Sequence, residues 1–393
     1  MQIHEFQVKR IFQDFDIPIL KGAVAYTPTE AERCAQSIGG EAWYVKAQVY
    51  SSSRAEGHFI EEQAGKGGGI RLATSPQAVL MQAGKMLLNH LVTPTTGAQE
   101  LEVKKVYIEE AAQVQQAFQF TIRISFTEQK IVLLGSALTE KGEVKGTTYS
   151  VDLHLEKPLP RLWTMSFLMR LGVPKKMLMR AFRILQALFA VFKKYSAFEV
   201  RLEPLAITQN NKWVAMGGTI KFDPDAVPAD KEIESLRDMD EESSTQRHAR
   251  QNNFRYIKLQ GNIGCLINGS GLGMATLDLI HRYEGKPACL LDVGATSTKE
   301  GITYAFKEML SEPDIEGILI NIFGASARCD TIAEALVSAA QEISVGMPIV
   351  VRMDGTNAQI GCRILFESGL PFVVKNSMDE AVACIVQSVR EIA

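Results

Sequence analysis

The sequence predicts an α/β protein in which a mixed α+β region of two lobes precedes a doubly wound parallel sheet. Two observations carry this. After Leu259 a strand, a polar loop and a helical segment recur five times: the strands read NIGCLI, ACLLDV, GILINIF, PIVVRM and PFVVK, and the loops NGSGLG, GATSTKEG, GASARCD, DGTNAQ and NSMDE. Such repetition means βα units on a parallel sheet covered on both faces by helices, with ligands gathering at the carboxyl ends of the strands. The first 220 residues instead mix helices and alternating strands without a repeat.

The elements follow in order. IHEFQVKRIFQDF has helical periodicity and ends before Pro18, and EAWYVKAQVY is strand-like. EQAGKGGGIRL is glycine-rich but lacks the Gly-Lys-Ser/Thr ending of a P-loop, and reads as a mobile hairpin or lid. PQAVLMQAGKMLLNHL is a helix, then KKVYIEEA and QFTIRISF alternate as strands. Residues 175–194 form a helix whose polar positions Lys176, Arg180 and Arg183 make one narrow stripe, as expected of a mostly buried helix with one wet edge. Residues 220–254 are polar and proline-marked, a connection with an acidic helix around 231–242. The expected organisation is an N-terminal domain at 1–238, a linker at 239–256 and a C-terminal domain at 257–393.

Length and composition bound the function. The 393 residues suit two or three domains, and 46% hydrophobic with 22% charged residues is the make-up of a soluble globular chain. A net charge of −3 shows no basic excess for nucleic acid. The six cysteines are scattered, with no zinc spacing and no disulfide framework. The N-terminus lacks the apolar core of a signal peptide, and the apolar run ILQALFAVF is too short to span a bilayer. Residues 157–198 hold nine Lys or Arg and no acid, which raises an anionic membrane surface, but the buried character of the 175–194 helix argues against it. The expectation is a cytoplasmic protein that binds neither nucleic acid nor membrane.

The loops narrow the chemistry. From Gly269 and Gly271 a dinucleotide fingerprint would need Gly or Ala at 274, where Met274 stands, so the NAD pattern fails. Asp292, at the spacing of a ribose-binding acid, ends its own strand and is uninformative. Several helix N-termini along one sheet edge do suit carboxylates and phosphates. In NIFGASARCDTI, Gly324 lets the backbone turn and the amides of Ala325, Ser326 and Ala327 can face an anion. Asn268 and Asn357 are candidates to orient a small polar ligand; turn and cap chemistry is the alternative for each loop. Lys46, among large apolar residues, points either into a nucleotide cleft or to solvent, and Glu109 raises the same question. No histidine lies in a loop after the C-terminal strands, so a nucleophilic or phosphate-carrying histidine at that edge would come from another chain.

HEFQVKRIF, YVKAQV, GNIGCLINGSGLGMATLDLI, LDVGATSTKE, NIFGASARCD and VVRMDGTNAQIG, in this order from end to end, resemble the beta subunit of succinyl-CoA synthetase. Related acid–CoA ligases, including malate–CoA ligase, share the pattern. The resemblance implies an N-terminal two-lobed ATP-grasp fold and a C-terminal flavodoxin-like CoA-ligase domain. It implies ATP and Mg²⁺, CoA bound mainly by a partner alpha subunit, and a phosphohistidine on that partner. It places Lys46, Arg54 and Glu109 at the nucleotide, Glu203 at the metal, and Asn268, Gly324, Ala325, Ser326 and Ala327 at the substrate and phosphohistidine.

The departures cluster in the ATP half. SSSRAEG replaces a Gly-Gly-Arg-Gly loop and keeps only Arg54. RLEPL replaces Glu-Ile-Asn-Pro-Leu, so Arg201 and Glu203 stand for the Glu and the Asn. AMGGTIKFD puts Gly217 at the second metal-binding acid and Thr219 at a lysine. Two readings result: an ADP-forming acid–CoA ligase subunit acting on a small carboxylate, succinate first, or a paralogue that keeps the fold and the alpha-subunit interface as a regulatory or scaffold subunit.

Overall fold

A computed structural model describes residues 1–393 apart from 52, 98–99, 140–141, 224–230, 240–246, 248, 250–251, 253, 295–297, 325–327, 344 and 393. The chain divides into two units, Met1–Glu241 and Glu242–Ala393.

The first unit opens with α1 (Glu5–Asp14), β1 (Gly22–Ala25), α2 (Pro28–Ile38), β2 (Trp43–Ala47), β3 (His58–Phe59), β4 (Ile70–Ala73), α3 (Pro76–Met86), β5 (His90–Val92), β6 (Leu101–Glu102) and β7 (Val106–Glu110). Strands β1-β7-β2-β4 make an antiparallel sheet, which puts Lys46 on an inner strand. Thr27 and Ser75 accept from the third helical amides of α2 and α3, each followed by Pro at the first helical position. Those caps start both helices sharply. Val79, Ala83 and Met86 of α3 then join Val45 and Ile108 in one core.

The second lobe holds β8 (Val114–Ser125), β9 (Lys130–Leu138), β10 (Val144–Leu153), α4 (Arg161–Arg170), α5 (Leu178–Lys194), β11 (Ala197–Thr208), β12 (Trp213–Ala215), β13 (Gly218–Phe222) and α6 (Lys231–Ser235). Its sheet runs β10-β9-β8-β11-β12, with β13 also on β11. Helix α5 buries Phe182, Leu185, Leu188, Phe189 and Phe192, while Lys176, Arg180 and Arg183 stay exposed, as the stripe predicts. Alternation along β11 sends Val200 and Leu202 into the core and Glu199, Arg201 and Glu203 to the opposite face.

The second unit contains β14 (Arg255–Lys258), β15 (Ile263–Ile267), α7 (Ser270–Arg282), β16 (Pro287–Asp292), α8 (Lys299–Ser311), β17 (Gly317–Gly324), α9 (Cys329–Glu342), β18 (Ile349–Gly355), α10 (Ala358–Glu367), β19 (Phe372–Val374) and α11 (Met378–Ile392). The sheet order is β14-β16-β15-β17-β18-β19. The five expected strands are parallel in the order 2-1-3-4-5 of a flavodoxin-like fold, so the strand order reverses between β15 and β17. Every residue of β15 and β16 is buried, which is why both read as unbroken apolar runs.

Three details differ from the sequence reading. An antiparallel edge strand, β14, joins the five parallel ones. Of the acidic helix around 231–242, α6 covers Lys231–Ser235, and 240–242 lie outside the described residues. The glycine-rich stretch is packed against the Arg54 turn: Gly69 N–H donates to the Arg54 carbonyl at 2.8 Å, and a Cβ on Gly68 would overlap the Ala55 carbonyl. Those glycines let the chain pack directly beneath the Arg54 turn.

Candidate active site

The sheet of the first lobe aims Lys46 at a cleft whose opposite wall, Glu203 to Thr219, belongs to the second lobe. Tyr44 pairs in register with Glu109, and Lys46 follows two residues on, so both side chains leave the same face of the sheet. Helix α1 covers that face and adds Glu5 and Lys9, one turn apart. Lys46 Nζ donates to Glu5 Oε1 at 2.8 Å and to the Met216 carbonyl at 2.7 Å, and lies 2.6 Å from Glu109 Oε2. Lys9 pairs with Glu109, and Arg54 pairs with Glu5. Arg54 Nη1 also donates to the Ala47 carbonyl at 2.7 Å. Lys46 is 5% exposed and Glu109 0%, so neither faces solvent, and Lys46 borders a cavity while Glu109 lies buried behind it.

Five ionisable groups share this pocket: Lys9, Lys46 and Arg54 against Glu5 and Glu109. Burial opposes ionisation of Glu5, but Lys46, Lys9 and Arg54 together outweigh it and hold the carboxyl well below its usual range. Burial pulls Lys46 down, partly offset by Glu5, and pulls Lys9 down further with repulsion from Lys46.

Lys46 and Arg54 line a cavity of about 240 Å³ with Glu203, Met216, Gly217 and Thr219. A second cavity of about 250 Å³ shares Ser51 and Thr219 with it and is bordered by Thr95, Thr96, Arg201 and Lys221. Ser51 and Ser53, the latter at a family glycine, join a hydroxyl lattice: Ser51 Oγ lies 2.7 Å from both Thr93 Oγ1 and Thr95 Oγ1, and Ser53 Oγ lies 2.9 Å from Thr95 Oγ1.

Glu203, the expected metal ligand, lines the same cavity as Lys46 and Arg54. Among the described residues no three His, Cys, Asp or Glu side chains gather to hold a metal ion. A Cβ on Gly217 would come well within 3.0 Å of the Glu203 carbonyl oxygen, so the backbone here admits no side chain at 217. One carboxylate fits a magnesium ion that brings phosphate oxygens and water as its other ligands, and does not fit a caged ion.

At the C-terminal rim the Asn268 side chain pairs with backbone. Its Nδ2 donates to the Phe323 carbonyl and its Oδ1 accepts from the Phe323 amide, both at 2.8 Å. The amide thus fastens the loop after β15 to the end of β17. Asp292 Oδ1 accepts from the amides of Gly269, at 2.7 Å, and Gly294, at 2.9 Å. Asn357, with a φ of 60°, donates to Asp330 at 2.9 Å. Gly324 has a φ of 106°, and Gly355 opposite it admits no Cβ because the Gly324 carbonyl lies against it. Ala325, Ser326 and Ala327 lie outside the described residues. Helix α9 begins at Cys329, whose amide donates to the Thr356 carbonyl at 3.0 Å. The rim loops therefore meet at the point where the strand order reverses, the place where open α/β sheets bind ligands.

Residues 2–207 match the family described as ATP-grasp domain, and residues 266–386 the family described as CoA-ligase. The succinate–CoA ligase [ADP-forming] subunit beta of Paramagnetospirillum magneticum is 37% identical over 404 residues, covering 100% of both chains. That of Rhodospirillum rubrum is 35% identical over 397 residues, again covering 100% of each. The chain belongs to the succinate–CoA ligase beta-subunit family. Among solved structures, ATP citrate lyase from Methanothrix soehngenii, in complex with citrate and coenzyme A, superposes with a TM-score of 0.68 at 14% identity, over 99% of each chain, a likeness of fold.

Two residues of this succinate–CoA ligase family member escaped the sequence reading: Glu5 and Lys9. The signal was present. In HEFQVKRIF they share a helix face with Val8 and Phe12, and ionic groups on an apolar face are buried for a reason.

Proposed function

We propose that the chain is the beta subunit of an ADP-forming acid–CoA ligase, with succinate as its acid, working in the cytoplasm with an alpha subunit that supplies the phosphorylated histidine and most of the CoA site. The observation that carries this is the buried cationic cleft of Lys46 and Arg54 facing Glu203, in a chain matched end to end by beta subunits of that enzyme. The six free cysteines suit a reducing compartment.

On this reading Lys46 and Arg54 bind the phosphates of ATP. Glu5 and Glu109 hold those two cations in place, so that little reorganisation accompanies binding. Glu203 would hold Mg²⁺, which when bound supplies charge neutralisation on the phosphates. The rim of the C-terminal domain, fastened by Asn268 and Asp292, carries Gly324, Ala325, Ser326 and Ala327 as the loop that receives the partner's phosphohistidine and the acid. Phosphate would pass from that histidine to the carboxylate before CoA attack.

The test is an assay of the purified chain with its alpha partner, following ADP release with ATP, Mg²⁺, CoA and an acid. Release that requires CoA and succinate together supports the proposal. Release that prefers malate shifts the acid, and no release with any small carboxylate contradicts the reading.

A further inference from the structure

The acid–base–acid stripe on β11 holds an arrangement that the family pattern does not contain. Glu199, Arg201 and Glu203 are spaced by two along the strand and project from one face. The Arg201 guanidinium lies between the two carboxylates, Nη2 at 3.3 Å from Glu199 Oε1 and Nη1 at 3.3 Å from Glu203 Oε2. Glu199 has a second cation, Lys221, directly opposite in register on β13 and 3.1 Å away. Glu203 differs: among the described residues Arg201 is its only ionic partner. Glu203 lines the cavity that Lys46 and Arg54 border, and Arg201 lines the adjoining cavity, which shares Ser51 and Thr219 with it.

Resting on the nucleotide reading given above, we infer that Arg201 makes divalent-ion binding conditional on nucleotide. With no nucleotide in the cleft, its guanidinium neutralises Glu203 and the carboxylate is withheld from free metal. When a nucleotide polyphosphate enters, the guanidinium moves to a phosphate oxygen and Glu203 becomes a ligand for the ion that the polyphosphate carries.

The chemistry favours this exchange. The Arg201–Glu203 pair is long and partly exposed, with side chains 31% and 37% accessible, and such pairs hold weakly. Guanidinium with phosphate makes paired, charge-assisted hydrogen bonds that hold more strongly. Glu199 keeps Lys221 throughout, so the departure of Arg201 strands only Glu203, the group the ion then needs. Gly217 offers no side chain to compete for that ion. Arg201 is a positioning residue, since it acts on the metal through Glu203.

The test is Mn²⁺ titration of the purified full chain, with free Mn²⁺ read by electron paramagnetic resonance, with and without ADP. ADP binding is measured separately in EDTA. In the wild type, ADP tightens Mn²⁺ binding by about tenfold or more. Arg201→Met binds Mn²⁺ without nucleotide about fivefold more tightly than wild type, and binds ADP in EDTA about fivefold more weakly. Arg201→Lys falls between the two, and adding Glu203→Gln to Arg201→Met removes the gain in Mn²⁺ affinity. A merely damaged cleft cannot give opposite changes for metal and nucleotide, so parallel weakening of both overturns the inference. So does an Arg201→Met chain that matches wild type in both titrations. A wild-type chain that binds neither ADP nor Mn²⁺–ADP overturns the nucleotide reading, and this inference with it.

Discussion

At Glu5 a buried carboxylate faces three cations, and removing it leaves Lys9, Lys46 and Arg54 sharing one acid. Glu5→Gln is expected to cost about 3–5 kcal/mol, the usual penalty for breaking a buried pair from one side, seen as a lower denaturation midpoint of the N-terminal domain. Because the folded-state pKa of Glu5 lies below its ordinary value of 4.5, its contribution is present above that pH and is lost as pH falls. The melting temperature should therefore drop from about pH 5 to about pH 3, and Glu5→Gln should flatten part of that slope. At Gly217, restoring the acid that the family pattern carries should not restore a metal site. Gly217→Asp pushes a Cβ into the Glu203 carbonyl and is expected to destabilise by about 1–3 kcal/mol, read by urea titration, with no gain in Mn²⁺ affinity. These two residues mark the limits of sequence reading in opposite ways. Glu5 and Lys9 went unread although their signal, charges on an apolar helix face, was in the sequence. The reason for Gly217 was not, because it lies in the approach of two backbones distant in the chain.

Among the elements, the five βα units were legible because buried parallel strands impose long apolar runs that no loop would carry. Strand β14 was not: RYIK is short, mostly exposed and pairs antiparallel at the sheet edge, so it lacks that signature. Residues 175–194 read correctly as a buried helix because its narrow polar stripe is a geometric property of one chain segment. The glycine-rich stretch misled because glycine serves mobility and close packing equally well, and Gly68 and Gly69 serve packing. The same ambiguity touched Asn268, whose amide suits a ligand or a backbone. Here it spans the ends of β15 and β17. Asn268→Ala removes two hydrogen bonds, and about 1–3 kcal/mol of stability of the C-terminal domain should go with them. Hydrogen exchange at the Phe323 amide should accelerate by about tenfold, which tests the clip directly. Unchanged exchange at Phe323 would mean that strand pairing alone holds the rim.

For the molecule as a whole, domain order and fold class could be read because each domain has its own pattern and both families match in sequence. None of its six histidines sits in a loop after a C-terminal strand, so on the proposed reading the phosphate-carrying histidine would come from the partner. The departures at Arg201, Glu203 and Gly217 shift the cleft from two metal-binding side chains to one carboxylate with an arginine beside it. On the proposed reading, charge neutralisation in the cleft would rest on Lys46, Arg54 and Arg201 together with a nucleotide-borne ion. The central claim is that this altered cleft still drives phosphoryl transfer to another polypeptide. Its most direct test is γ-labelled ATP with Mg²⁺, added to the purified chain in complex with its alpha partner. Label appearing on a histidine of the partner, and lost when Mg²⁺ is chelated, is the predicted result. An intact complex that binds nucleotide yet leaves the partner unlabelled would contradict it.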